Sequence, residues 1–248
     1  MKKLTRLLLL TAIVELTVAS CSIYHPQSVD IPLINHSGDT RIDASVALSC
    51  WIVPSTLTLN ATATHGFNDW FAGQFHGNYG GDNFYLQAAP GAYYPLGAHS
   101  VVEGYAGLGF GGAWSDDVEA NSESANNNHY AYSGNFLLPF AQANIGWHGL
   151  TRAHIDLAMG LKVGAYLPNF NYHELDANGD KIAATEYDYT TSNFLFEPQL
   201  LFRIGGEHLK FNIRTGLAWL SDLNSDNSKS RNFYSDIFSA SAGITLFF

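Results

Sequence analysis

Ten charged residues of this chain have the types and positions to build a chemical site: Arg41, Asp43, Glu103, Arg152, Asp156, Lys162, Glu197, Arg203, Lys210 and Arg214. Six are cationic and four anionic, and all recur on the polar side of stretches whose other side is apolar. Gathered in one narrow interior, they form either a plug of ion pairs or a pore that prefers anions. The plug is the simpler reading, because a small barrel is filled by its own side chains. Histidines make a second set. His99, His148 and His154 lie near one end of three consecutive stretches, with Glu103 and Asp156 on the same faces. Zinc accepts that mixture of ligands. No short ligand spacing accompanies them, so a polar rim without metal is the plainer reading. Asp176-Ala177-Asn178-Gly179-Asp180 offers oxygen ligands at alternate positions, as calcium requires. Lys181 stands where a calcium loop needs glycine, and no acid fills the twelfth position, so Asn178-Gly179 reads as a hairpin turn.

The elements that must position these groups are strands. In Arg152–Leu167 one face is Ala153, Ile155, Leu157, Met159, Leu161, Val163, Ala165 and Leu167. The opposite face is Arg152, His154, Asp156, Ala158, Gly160, Lys162, Gly164 and Tyr166. A period of two marks a strand between two different media. The pattern recurs over Thr40–Leu48, Leu57–Thr64, Trp70–Tyr79, Asn83–Tyr94, Ser100–Trp114, Asn135–Trp147, Asn193–Ile204, Leu209–Leu220 and about Phe233–Phe248. Pro90 interrupts the fourth stretch and predicts a bulge. The sixth is less clean, with Leu138 and Phe140 on the inner face beside Gln142 and Asn144.

The connections agree with a membrane barrel. Gly66–Asp69, Pro95–His99, His148–Thr151 and Gly205–Glu207 are short, whereas Ser115–His129, Pro168–Ser192 and Ser221–Asn232 are long. Tight turns on one side and long loops on the other are the outer-membrane pattern. Outward Trp114 and Trp219 fall near the looped rim, Tyr94 and Trp147 near the other, as interfacial girdles do. No run of 18 or more apolar residues follows the N-terminal region, so a spanning chain must satisfy its backbone in a closed barrel. The predicted fold is all-β, a closed antiparallel up-and-down transmembrane barrel of about ten strands in the bacterial outer membrane. A soluble barrel, the alternative, would put the apolar faces inside.

Residues 1–20 read as a signal peptide, with Lys2, Lys3 and Arg6 before the apolar Leu7–Val14. Residues 21–39 contain two prolines and no strand period, and read as a periplasmic tether. Residues 40–248 are the barrel. Val18-Ala19-Ser20-Cys21 resembles the lipobox of bacterial lipoproteins. That resemblance implies that Cys21 accepts diacylglycerol, becomes the mature N-terminus and sits in outer-membrane lipid. The alternative is ordinary cleavage, with Cys21 free to pair with Cys50. The last stretch, apolar at every second position and ending in Phe248, resembles the signal read by the barrel-assembly machinery, which it implies as a partner. Together these features resemble outer-membrane β-barrel lipoproteins of Gram-negative bacteria.

Without the signal the chain keeps 9 of its 12 Lys+Arg and 21 of its 22 Asp+Glu, a net charge of −12. No basic patch remains for nucleic acid. The long loops hold Asp116, Asp117, Glu119, Glu123, Glu174, Asp176, Asp180, Glu186, Asp188, Asp222 and Asp226, opposed by Lys181, Lys229 and Arg231. The expected role is therefore structural or one of surface recognition through acidic loops, without cofactor or catalysis. A narrow solute pore is the alternative, and a lipid- or peptide-hydrolysing enzyme comes after it. His154 and Asp156 share a face, but at the periplasmic end, whereas a surface protease needs them at the outer rim. No inward Ser/His/acid set is legible at that outer rim.

Overall fold

A computed structural model of the chain describes residues 22–26, 29–50, 54–119, 129–176, 178–222 and 234–248. The barrel strands are β1 (Thr40–Cys50), β2 (Pro54–Gly66), β3 (Phe71–Gly80), β4 (Asn83–Pro95), β5 (Ser100–Glu119), β6 (His129–Leu150), β7 (Ile155–Leu175), β8 (Asn193–Gly205), β9 (Leu209–Leu217, resumed as Trp219–Leu220) and β10 (Phe238–Phe247). Each pairs antiparallel with the next. β7 and β8 run together from Tyr166↔Asn193 to Asp156↔Arg203. β10 returns to β1 from Phe238↔Cys50 to Phe247↔Arg41, which closes a ten-stranded barrel. Closure of β10 on β1 leaves the sheet with no free first or last strand, the condition for crossing lipid with strands.

Side-chain alternation sorts two environments. On β1, Arg41, Asp43 and Ala47 are buried while Ile42, Val46 and Leu48 are exposed. The same parity holds around the circumference, so that Leu59, Phe75, Leu108, Met159, Phe211 and Ile213 are each more than half exposed. A continuous apolar outer surface of this extent needs lipid around it. The protein is an outer-membrane barrel. Trp114, Trp219, Tyr94 and Trp147 all point outward, and Leu138 and Phe140 are inward and buried.

Four sequence expectations change. Pairing between β4 and β5 skips from Ala88↔Leu108 to Gly91↔Tyr105 without a register shift. Pro90 thus interrupts the ladder with β5 but makes no bulge: it faces outward and stays in register with Gly73 on β3. Arg152, Ala153 and His154 belong to the turn before β7, where Thr151 and His154 have φ of 67° and 46°. The left-handed backbone there ends the extended ladder early. β10 begins at Phe238, because Tyr234–Ser235 turns aside to make its own pairing.

The largest change concerns the tether. Residues 22–26 and 29–34 do not hang below the barrel but lie in its lumen. Ser22–Tyr24 pairs in parallel with Tyr234–Ser235, and Ile23, Tyr24, Val29, Ile31, Leu33 and Ile34 are all buried. The wall makes room for them. A Cβ on Gly160 would meet Val29 Cγ1 at 2.8 Å, and one on Gly146 would meet Leu33 Cδ2 at 2.6 Å. Asn35 and His36 reach the periplasmic mouth, where their backbone amides donate to Asp39. Buried backbone without a ladder must find other partners, and the wall's side chains supply them.

Candidate functional site

The lower lumen is a charge network wrapped around the inserted segment. β1 aims Arg41 and Asp43 inward, while β8 and β9 add Arg203 and Arg214. Asp43 meets Arg41 Nε at 2.9 Å, Arg214 Nη2 at 3.0 Å and Arg203 Nη2 at 3.8 Å. Asn212 donates to it at 3.0 Å, and Thr245 donates as well. Asp30, on the inserted segment, pairs with Arg41 and lies 3.8 Å from Arg214, and Thr64 donates to it at 3.1 Å. The arginines also hold the segment's backbone. The Ile31 carbonyl accepts from Arg41 Nη1 at 2.6 Å and from Arg203 Nη2 at 2.7 Å, and that of Pro32 from Arg203 Nη1 at 3.2 Å. Leu33 then takes φ of 63°, a left-handed conformation that costs about 1–2 kcal/mol and that these contacts hold in place. Asp30, Arg41 and Arg203 are fully buried. Charges so buried are tolerable only when paired and hydrogen-bonded.

The remaining charged residues of the expected network are placed around this centre. Asp156 pairs with Lys210 at 2.5 Å. Glu103 accepts from the Ile34 amide at 2.8 Å and from Asn144 at 3.0 Å, so it too grips the inserted segment. Lys162 is fully buried, with its ammonium 2.6 Å from Gln87 Oε1 and 4.3 Å from the Phe140 ring centre. Glu197, its cross-strand neighbour, accepts from Tyr24 Oη at 2.6 Å. Arg152 is the exception. It is exposed in the turn before β7 and takes no part in the lumen, because the turn ends the alternation that would have aimed it inward.

The histidines expected near one another are only partly gathered. His99 and His148 have ring centres 6.1 Å apart, and His99 Nδ1 lies 3.1 Å from the His148 carbonyl oxygen. His148 and His154 line a periplasmic cavity of about 380 Å³ with His36, Asp156, Glu207 and His208. Among the described residues no three His, Cys, Asp or Glu side chains form a metal-holding group. In the Asp176 hairpin the carboxylate accepts from the amides of Asn178 and Asp180 at 2.8 and 2.9 Å, and Gly179 has φ of 84°. These backbone donors hold the exposed Asp176 carboxyl below its usual range. Cys21, Glu123, Asp226, Lys229 and Arg231 lie outside the described residues, as do the side chains of Asp116, Asp117 and Glu119.

The upper lumen holds a constellation that sequence reasoning missed. His25 Nδ1 lies 2.6 Å from Asp236 Oδ2 and 3.1 Å from Ser49 Oγ, with the His25 and Asp236 side chains 3% and 5% exposed. His25 Nε2 is buried and has no hydrogen-bond partner among the described residues. A carboxylate on Nδ1 fixes the tautomer that leaves Nε2 as a base, the assignment of the proton being inferred from this geometry. Ser49, His25 and Asp236 thus meet near the outer rim, but the serine faces Nδ1 beside the carboxylate and not the base nitrogen Nε2. These residues come from β1, from the inserted segment and from the approach to β10, three places whose proximity has no spacing signal. The adjoining void, lined by Ile23, Tyr24, His25, Asn78, Asn83 and Tyr85 among others, is about 10 Å³. That holds about one water and no substrate. Asp30 was missed for a related reason: its one signal was its place between the apolar Val29 and Ile31.

No protein-family model matches the chain, and no curated protein matches its sequence. Among solved structures it is similar to the outer membrane protease OmpT of Escherichia coli. The TM-score is 0.59 at 8% identity, over 90% of this chain and all of that one. It is also similar to the KdgM porin, with a TM-score of 0.36 at 10% identity, over 84% of this chain and 99% of that one. The fold is that of bacterial outer-membrane barrels. This corrects the expectation that catalysis is excluded: at a TM-score of 0.59 the chain shares its architecture with a protease. At 8% identity the likeness is one of fold.

Proposed function

We propose that this chain is an outer-membrane barrel lipoprotein, acylated at Cys21, whose lumen is stoppered by its own N-terminal segment and which acts at its outer rim. The observation that carries the reading is the complete burial of Val29, Asp30 and Ile31 inside the barrel. Apolar side chains and arginine–carboxylate pairs packed across the lower lumen stand in the way of a water path. The rim above it is acidic: Glu174, Asp176, Asp180, Glu186 and Asp188 cluster on and beside the β7 hairpin, with Lys181 as the cation among them. That surface suits a cationic partner or one bridged by divalent cations. Refolded protein in a planar bilayer is expected to give no steady unitary openings. Openings of one uniform size would overturn the stoppered lumen in favour of a pore. Fatty-acid labelling should be lost in Cys21→Ala and kept in Cys50→Ala.

The His25–Asp236 pair favours a second reading, hydrolysis of a lipid or peptide at the outer rim with His25 Nε2 as the general base. This requires the upper segment to move, since the void beside it admits only water. Hydrolysis by the purified barrel that His25→Ala abolishes, with the barrel still folded, is the sign of this reading. Activity unaltered in His25→Ala removes it.

A further inference from the structure

We propose that the N-terminal segment threads the barrel from the periplasmic mouth to the outer rim, so that the mature N-terminus is displayed on the cell exterior.

The path is set by contacts at successive heights. At the bottom, the Gly38 amide donates to the Gly66 carbonyl at the periplasmic end of β2, and the Asp39 carbonyl accepts from the Gly66 amide. Ile34 lies one level up, bound to Glu103, and Asp30 lies above it in the arginine cluster. At the top, His25 meets Ser49, one residue from the outer end of β1, and Asp236, two residues before β10 begins at the outer rim.

The last step is fixed by strand direction. Ser22–Tyr24 runs parallel to Tyr234–Ser235, with Ser22 opposite Tyr234 and Tyr24 opposite Ser235. Tyr234–Ser235 leads through Asp236 into the outer end of β10, and β10 descends toward the periplasm, since Phe248 ends against Thr40. A parallel partner descends too. Ser22 therefore stands farther out than Tyr24. This end is bonded into the wall: Tyr166 Oη donates to the Ile23 carbonyl at 3.1 Å, and the Asp236 amide donates to Ser22 Oγ at 3.0 Å.

The consequence for anchoring rests on the lipoprotein reading given above. Acyl chains on Cys21 would be carried through the barrel and emerge at its outer rim. They would then enter the outer leaflet or a neighbouring surface, rather than the inner leaflet that a periplasmic tether reaches. The barrel would act as the conduit for its own modified terminus, and the acidic rim would surround the point of exit.

The test is topological. A short epitope inserted between Cys21 and Ser22 in the full chain should be bound by antibody on intact cells as strongly as on permeabilised ones. Binding that appears only after permeabilisation overturns the proposal. Should the insertion prevent folding, seen as loss of the compact heat-modifiable band, the pair Val29→Cys/Gly160→Cys in a Cys50→Ala background decides. An ideal Cβ at position 160 lies 2.8 Å from Val29 Cγ1, so oxidation in cells should crosslink the segment to β7, read as a reduction-sensitive shift in gel mobility. Absence of the crosslink in a folded barrel overturns the threading. Fatty-acid labelling of the same strains separates the two readings. Surface epitope without label removes the lipid and keeps the threading, whereas label with a periplasmic epitope removes the threading and keeps the lipid.

Discussion

The lower and upper halves of the lumen are filled by one segment yet held by opposite means. Below, Asp30 and the backbone around it are bound by Arg41, Arg203 and Arg214 with Asp43 between them. Above, Ile23 and Tyr24 pack among Tyr85, Phe136, Leu138, Tyr166 and Phe170. The Tyr24 ring stands edge-on to those of Phe136 and Tyr166, with centres 6.0 and 5.7 Å apart. Charge pairing is directional and fails when one partner is lost, whereas apolar packing is spread over many contacts. The lower half therefore fixes the register of the segment, and the upper half fills space and holds the terminus with single hydrogen bonds.

The sharpest way to break this contrast is Asp43→Ala. It leaves Arg41 and Arg214 sharing Asp30 and takes from Arg203 the carboxylate it faces, and removal of one partner of a buried pair costs about 3–5 kcal/mol. Denaturant unfolding in detergent should show that loss, and a change under about 1 kcal/mol would mean that the lower lumen is wet. Tyr24→Phe tests the join between the halves. It removes the hydrogen bond to Glu197 and leaves the ring in place, for an expected loss of about 1.5–3 kcal/mol, as for bonds to charged groups. Tyr166→Phe removes only a neutral bond to the Ile23 carbonyl. The same measurement should give about 0.5–1.5 kcal/mol, and a larger cost than for Tyr24→Phe would reverse the assignment of roles.

The smallest effect lies outside the lumen. The Asp176 carboxyl is held low by backbone donors from Asp180 and Asn178, so its folded value lies below its unfolded one. Its contribution to hairpin order is then fully present above the unfolded value and lost as pH falls through the folded one. Amide exchange at Asn178 and Asp180 should quicken at acid pH below the usual carboxylate range, with the lumen amides unchanged. Quickening in both places together would make the hairpin and the lumen one unit.

Particular residues show where sequence reading reached and where it stopped. Arg41, Asp43 and Asp156 could be aimed inward because each alternates with lipid-facing Ile42, Ala44 and Leu157. Arg152 obeyed the same parity on paper, but parity has meaning only while the chain stays extended, and the turn at Thr151–His154 ends that. The His25–Asp236 pair was out of reach, since 211 positions separate its members and His25 sits in no periodic stretch.

The period of two by itself determined the strands, their inner and outer faces, the side that carries the long loops and hence the membrane. It did so because lipid and lumen impose different chemistry on neighbouring residues. What fills the lumen was decided only by the closed barrel. Residues 22–26 and 29–34 are buried on both sides, so burial imposes no alternation on them and leaves no periodic trace. Their place depends on Asp30 finding Arg41 and Arg214, on Ile31 finding two guanidinium groups, and on Gly160 leaving room for Val29. Those are contacts between distant parts of the chain, and they exist only once the barrel has closed around the segment.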